Sequence, residues 1–152
     1  MHILVLNGPN LNMLGIREPE HYGTKTLADL TAMLEAEAER LGITIECYQS
    51  NHEGDLVDRI QAAYGKADGI LINPAAYTHT SVALLDAVKA VSIPTVEVHI
   101  SDPDTRDEFR KISYIRQACI ATVKGKGFPG YIEGLHILVN AASPAAVSPT
   151  NQ

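Results

Sequence analysis

The chain has 152 residues, 45% of them hydrophobic, and a formal net charge of −6 with histidine neutral, enough for one domain with a real core. The acidic balance argues against a general binder of nucleic acid or of membrane surfaces, since phosphates are met by excess Lys and Arg, although a few converging cations still make an anion pocket. No apolar run approaches the roughly 20 residues that cross a bilayer, and Met1-His2-Ile3-Leu4-Val5 carries neither the basic region nor the cleavage site of a signal peptide.

Strand-like and helix-like segments alternate along the chain. Residues 2–7 (HILVLN) read as a first strand. Leu27, Leu30, Leu34 and Leu41 mark one face of a helix, with Thr26 and Asp29 as its start signal and Gly42 as its stop. A second strand follows at 43–49, then a helix marked by Leu56, Val57, Ile60 and Tyr64 and ended by Gly65. The third strand is 69–73, followed by a helix with Val82, Leu85, Val88 and Val91 on one face. Strands at 93–100 and 118–123 and a last helix marked by Tyr131, Leu135 and Leu138 complete the pattern. The strands are rich in Ile and Val and mostly apolar on both faces, as in a buried parallel sheet. Five such units imply an α/β, doubly wound, five-stranded parallel sheet of flavodoxin-like order 2-1-3-4-5. Residues 1–142 read as this single domain and 143–152 as a loose tail of small and polar residues. Cys47 and Cys119 sit in apolar stretches, which reads as buried thiols in a reducing, cytoplasmic setting.

Ligands of such sheets bind beyond the C-terminal strand ends, where the strand order reverses. For this order the reversal lies between strands 1 and 3. The loop after strand 1 is Asn7-Gly8-Pro9-Asn10-Leu11-Asn12, continuing to Arg17-Glu18-Pro19-Glu20-His21-Tyr22-Gly23. The loop after strand 3 is Asn73-Pro74-Ala75-Ala76-Tyr77-Thr78-His79-Thr80-Ser81, and strand 4 ends in Glu97-Val98-His99-Ile100-Ser101 ahead of Arg106 and Arg110. Neither G-x-G-x-x-G nor a P-loop is present, and no Cys-x-x-Cys or His-x-x-x-His spacing suggests a metal. Two other functions fit a fold of this class. One is a flavin- or nucleotide-binding module. The other is a hydrolase using Ser81 or Ser101 with His79 or His99, though G-x-S-x-G is absent.

The segments Asn7–Gly15, Arg17-Glu18-Pro19 with Tyr22-Gly23, Asn73–Ser81, Glu97–Ser101 and Arg106 through Arg110 resemble type II 3-dehydroquinate dehydratase, collinearly over about residues 1–140. The resemblance implies a lyase that converts 3-dehydroquinate to 3-dehydroshikimate and water in the shikimate pathway, hence in aromatic amino acid and chorismate biosynthesis. It implies no cofactor, no metal and no Schiff base. It also implies a homo-dodecamer of four trimers, with no nucleic-acid or membrane partner.

Within that resemblance Tyr22 is the base. A free phenol titrates near ~10, and Arg17 in the same loop favours its ionised form. His99 is the acid, and Glu97 orients its imidazole. Asn10 corresponds to the residue that holds a water against the enolate oxygen. Asn73, His79, Ile100, Ser101 and Arg110 correspond to substrate-binding residues, and Asp86 to one supplied by a neighbouring subunit. Arg106 would shape or close the site, and Leu14–Gly23 would act as a lid. One position departs from the family pattern: Ile112 stands where a His often precedes Ser113-Tyr114.

Overall fold

The computed structural model describes residues 1–16, 20 and 24–142. Arg17, Tyr22 and the 143–152 tail lie outside the described residues. The strands are β1 (His2–Asn7), β2 (Thr44–Gln49), β3 (Gly69–Asn73), β4 (Thr95–Val98) and β5 (Ala121–Val123), and they form one sheet in the order β2-β1-β3-β4-β5. All four pairings are parallel. The main helices are α1 (Leu27–Leu41), α2 (Glu53–Ala62), α3 (Val82–Val91) and α4 (Pro129–Ala142), with short 3-10 turns between elements.

Strand alternation divides the core into two layers. Ile3, Val5, Leu71, Val96 and Val98 face α1 and α4, where Leu30, Leu34, Tyr131, Leu135 and Leu138 meet them. Leu4, Leu6, Ile70 and Ile72 face α2 and α3, packing on Leu56, Ile60, Leu84 and Val88. The start and stop of α1 are as the sequence indicates. Thr26 and Asp29 form a reciprocal capping box, and Gly42 closes the helix with φ of 70°.

Several boundaries differ from the sequence reading. β4 begins at Thr95 and ends before His99. Residues 115–118 form a 3-10 turn, so β5 begins only at Ala121. Tyr64 lies past the end of α2 and is 71% exposed, because the helix stops at Ala62. Val82 is also exposed, since α3 turns Leu84, Leu85, Ala87, Val88 and Val91 inward instead. Both cysteines are half-buried and unpaired, with burial pushing Cys47 up to about 11 and Cys119 up to about 12.

Candidate active site

The C-terminal ends of β1 and β3 are adjacent, with Asn7 paired to Asn73 in register. Gly8 leaves β1 against the next loop: its amide donates to the Asn73 carbonyl at 2.8 Å, and a Cβ there would overlap the Pro74 carbonyl. Behind them Tyr131 of α4 is fully buried. Its hydroxyl donates to Asn7 Oδ1 at 2.7 Å and accepts from Asn73 Nδ2 at 2.9 Å. Asn73 Oδ1 in turn accepts from the Ala75 amide at 3.0 Å. That bond helps hold Ala75 at φ of 52°, a left-handed conformation that a non-glycine residue rarely adopts. Much of the Asn73 side chain is thus spent on fixing the loop, which leaves one amide N–H for a ligand.

A cleft opens beside these loops. Asn73, His79, His99, Ile100, Ser101, Arg106 and Arg110 all line it, together with Leu11, Ala75, Ala76 and Pro103. No Asp or Glu is among the described lining residues. In a chain of net charge −6 this is a local reversal of sign, suited to a small anion. No lysine is among the described lining residues either. Ile100 and Ser101 follow β4 with their carbonyls committed to the amides of Gly127 and Gly125, at 3.0 and 3.2 Å. That pins the backbone of two residues that line the cleft.

Glu97 and His99 form a buried ionisable pair at the edge of the cleft. Glu97 lies on the α2/α3 side of the sheet and is completely buried. His99 Nε2 lies 2.6 Å from Glu97 Oε2. Ser113 Oγ donates to Glu97 Oε1 at 2.8 Å, and Arg116 Nη2 donates to Oε2 at 2.9 Å. Burial pushes the Glu97 carboxyl up, but the bonds from His99, Arg116 and Ser113 outweigh it and hold the group at about 2. The carboxylate therefore accepts, His99 Nε2–H donates, and His99 Nδ1 is the ring atom left to serve the cleft.

His79 ends the 3-10 turn Ala75–His79, and its Nδ1 donates to the Ile112 carbonyl at 2.6 Å. Burial lowers its pKa, and the nearby His99 and Arg110 charges act in the same direction. The neutral ring thus presents Nε2 as an acceptor. The Ile112 side chain is 55% exposed, so this position serves the site through its backbone. Arg110 is held by Asp107, Nε to Oδ2 at 3.0 Å.

Other candidates stand apart from the lining. Asn10 is exposed, with φ of 68°, and its amide donates to Asn51 Oδ1 at 3.0 Å. Gln49 Nε2 bridges Asn51 and the Gly8 carbonyl, both at 3.1 Å. Gln49 and Asn51 thus support the Asn10 loop, and sequence reasoning missed them. Arg116 and the support role of Tyr131 were missed likewise. Asp86 is exposed on α3, away from the cleft. Ser81 is buried, and its Oγ caps α3 by accepting from the Leu84 amide at 3.0 Å, which removes it as an accessible nucleophile. No group of three or more potential metal-binding side chains occurs among the described residues. No described helix is long and apolar enough to cross a membrane.

The family model described as dehydroquinase class II matches residues 1–139. The chain is 57% identical over 140 residues to the 3-dehydroquinate dehydratase of Geotalea daltonii, a match covering 92% of this chain and 97% of that one. It is 52% identical over 143 residues to the 3-dehydroquinate dehydratase of Clostridium acetobutylicum, covering 94% and 99%. Among solved structures, the type II dehydroquinase of Butyrivibrio crossotus superposes with a TM-score of 0.90 at 49% identity, covering 91% of this chain and 97% of that one.

Proposed function

The chain belongs to the class II dehydroquinase family, and from that premise we propose that it dehydrates 3-dehydroquinate to 3-dehydroshikimate, as a cofactor-free hydro-lyase of the shikimate pathway acting in the cytoplasm. The observation that carries the proposal is the buried Glu97–His99 pair at the edge of a cleft whose charged lining groups, among the described residues, are cationic.

Tyr22, with Arg17 favouring its phenolate, takes the proton next to the ketone. The ketone oxygen becomes an enolate, stabilised by a water that Asn10 orients. As the enolate collapses, the protonated His99 gives its Nδ1 proton to the departing hydroxyl, which leaves as water. Glu97 keeps the ring in place and stabilises the imidazolium before transfer. The Ile100 and Ser101 amides with the Ser101 hydroxyl hold the substrate carboxylate, and Arg106 and Arg110 supply the field that draws the anion in. His79 Nε2 accepts from a ring hydroxyl, and Asn73 donates its remaining N–H. Asp86 completes the pocket of a neighbouring subunit, and the chain assembles as four trimers.

Two substitutions test these roles. Tyr22→Phe and His99→Asn should each lower kcat by roughly 10²–10⁴-fold, the usual contribution of a positioned acid or base, while substrate affinity is largely kept. Near-parent turnover in either variant removes that residue from its role.

A further inference from the structure

Arg116 is not part of the cleft lining, yet it reaches the pair that the chemistry depends on. Its Nη2 lies 2.9 Å from Glu97 Oε2 and its Nε 3.4 Å from Oε1, a two-point grip on one carboxylate. The 3-10 turn Ile115–Ala118 carries it there. Ile115 anchors that turn in the core at 1% exposure, and the Cys119 amide closes it onto the Arg116 carbonyl at 3.1 Å. Glu97 itself has no access to water. A carboxylate sealed in this way has to be matched by a positive charge. If His99 were the sole match, its proton would be the counter-charge and would be held back from the substrate. An arginine does not give up its proton, so it balances Glu97 whatever the state of the imidazole.

We propose that Arg116 is a positioning residue of the dehydration: by gripping both oxygens of Glu97 it keeps the carboxylate aimed at His99 Nε2 and carries the charge balance that frees His99 to donate. The inference rests on the reading of His99 as the acid. Other charged groups face this assembly. His79, Arg106 and Arg110 lie along the cleft with His99, and the His79 ring feels both His99 and Glu97. Asp104 and Lys124 lie near Arg116 and are paired with each other. The Cys119 thiol beside Glu97 stays protonated, pushed up by burial to about 12. Among these described contacts, Arg116 is the cation bonded to Glu97 throughout the His99 cycle.

The test is kcat and KM for 3-dehydroquinate across pH in Arg116→Gln, Arg116→Lys, Glu97→Gln and the double variant Glu97→Gln/Arg116→Gln, with His99→Asn alongside. Arg116→Gln leaves Glu97 to pull on the His99 proton alone. Its kcat should fall on the order of tenfold, and the alkaline limb of its kcat profile should move up by roughly one pH unit. KM should change little, because Arg116 is not in the lining. Arg116→Lys should keep the parent limb and recover part of the turnover. On the Glu97→Gln background, Arg116→Gln should cost nothing further, since Arg116 acts through Glu97. A parent profile in Arg116→Gln overturns the proposal, and so does a full further loss on the Glu97→Gln background. Should Arg116→Gln not fold, the double variant decides, because it buries no unmatched charge: turnover equal to that of Glu97→Gln supports the role, and a further tenfold loss overturns it. Parent turnover in His99→Asn defeats the acid reading and the role of Arg116 together. Loss in His99→Asn beside an unaltered Arg116→Gln defeats the role of Arg116 alone.

Discussion

At the level of one residue, the role proposed for Glu97 in the dehydration meets its part in stability. Its carboxyl is pushed up by burial but held at about 2 by His99, Arg116 and Ser113, whereas in the unfolded chain it titrates near ~4.3. The fold therefore favours its ionised form. That contribution to stability is full above the unfolded value and is lost as pH falls through about 2. Glu97→Gln removes the group that titrates. Denaturant midpoints measured between pH 5 and 2 should fall less steeply in Glu97→Gln than in the parent, and parallel curves would contradict this. The pairing of Glu97 with His99 was legible from their spacing, two residues apart at a strand end. Arg116 was not, because it lies 19 residues from Glu97 and reaches it only through the turn at 115–118. His79 was legible as a polar residue of the strand 3 loop. That its Nδ1 is taken by the backbone at Ile112, fixing which nitrogen is free, depends on a contact across 33 residues.

At the scale of elements, the β1 and β3 ends are held by Tyr131, a residue that periodicity marked only as the apolar face of the last helix. Its ring does fill the core, and its hydroxyl does separate work between Asn7 and Asn73. Tyr131→Phe keeps the ring and leaves two buried amides short of a partner. The expected cost is about 1–3 kcal/mol of stability, read from denaturant midpoints, with lower turnover because Asn73 and Ala75 lose their brace. An unchanged midpoint would show that these amides find other partners. The strand order was legible because buried parallel strands read as Ile/Val runs, and the ends of α1 because Thr26, Asp29 and Gly42 are local signals. The ends of β4 and β5 were not legible. Apolar residues such as Ile93 and Ala118 pack beside the α2/α3 layer from loops and turns as readily as from strands. A stretch of such residues does not say where the ladder stops.

At the scale of the whole molecule, Asp86 is exposed on α3 and is not among the described lining residues of its own chain's cleft, which suits the proposal that it serves a neighbour. Tyr22→Phe and Asp86→Ala should each be folded and nearly inactive alone. Co-expressed, they should form mixed trimers in which some pockets combine an intact Tyr22 from one chain with an intact Asp86 from the other, so activity should return. Verified mixed trimers without recovered activity would place both residues in one chain's pocket. No sequence pattern marks Asp86 as more than a solvated helix charge; only the family resemblance singles it out. The dehydration itself is tested most directly by mixing the purified protein with 3-dehydroquinate and following the conjugated enone product in the ultraviolet, with and without borohydride. The cleft has no lysine among its described lining residues, and an imine mechanism needs one aimed at the ketone. The expected result is enone formation without added metal or cofactor, with full activity and unchanged protein mass after borohydride treatment in the presence of substrate. No enone, or a reduced substrate adduct on the protein with loss of activity, would contradict a cofactor-free dehydration through an enolate.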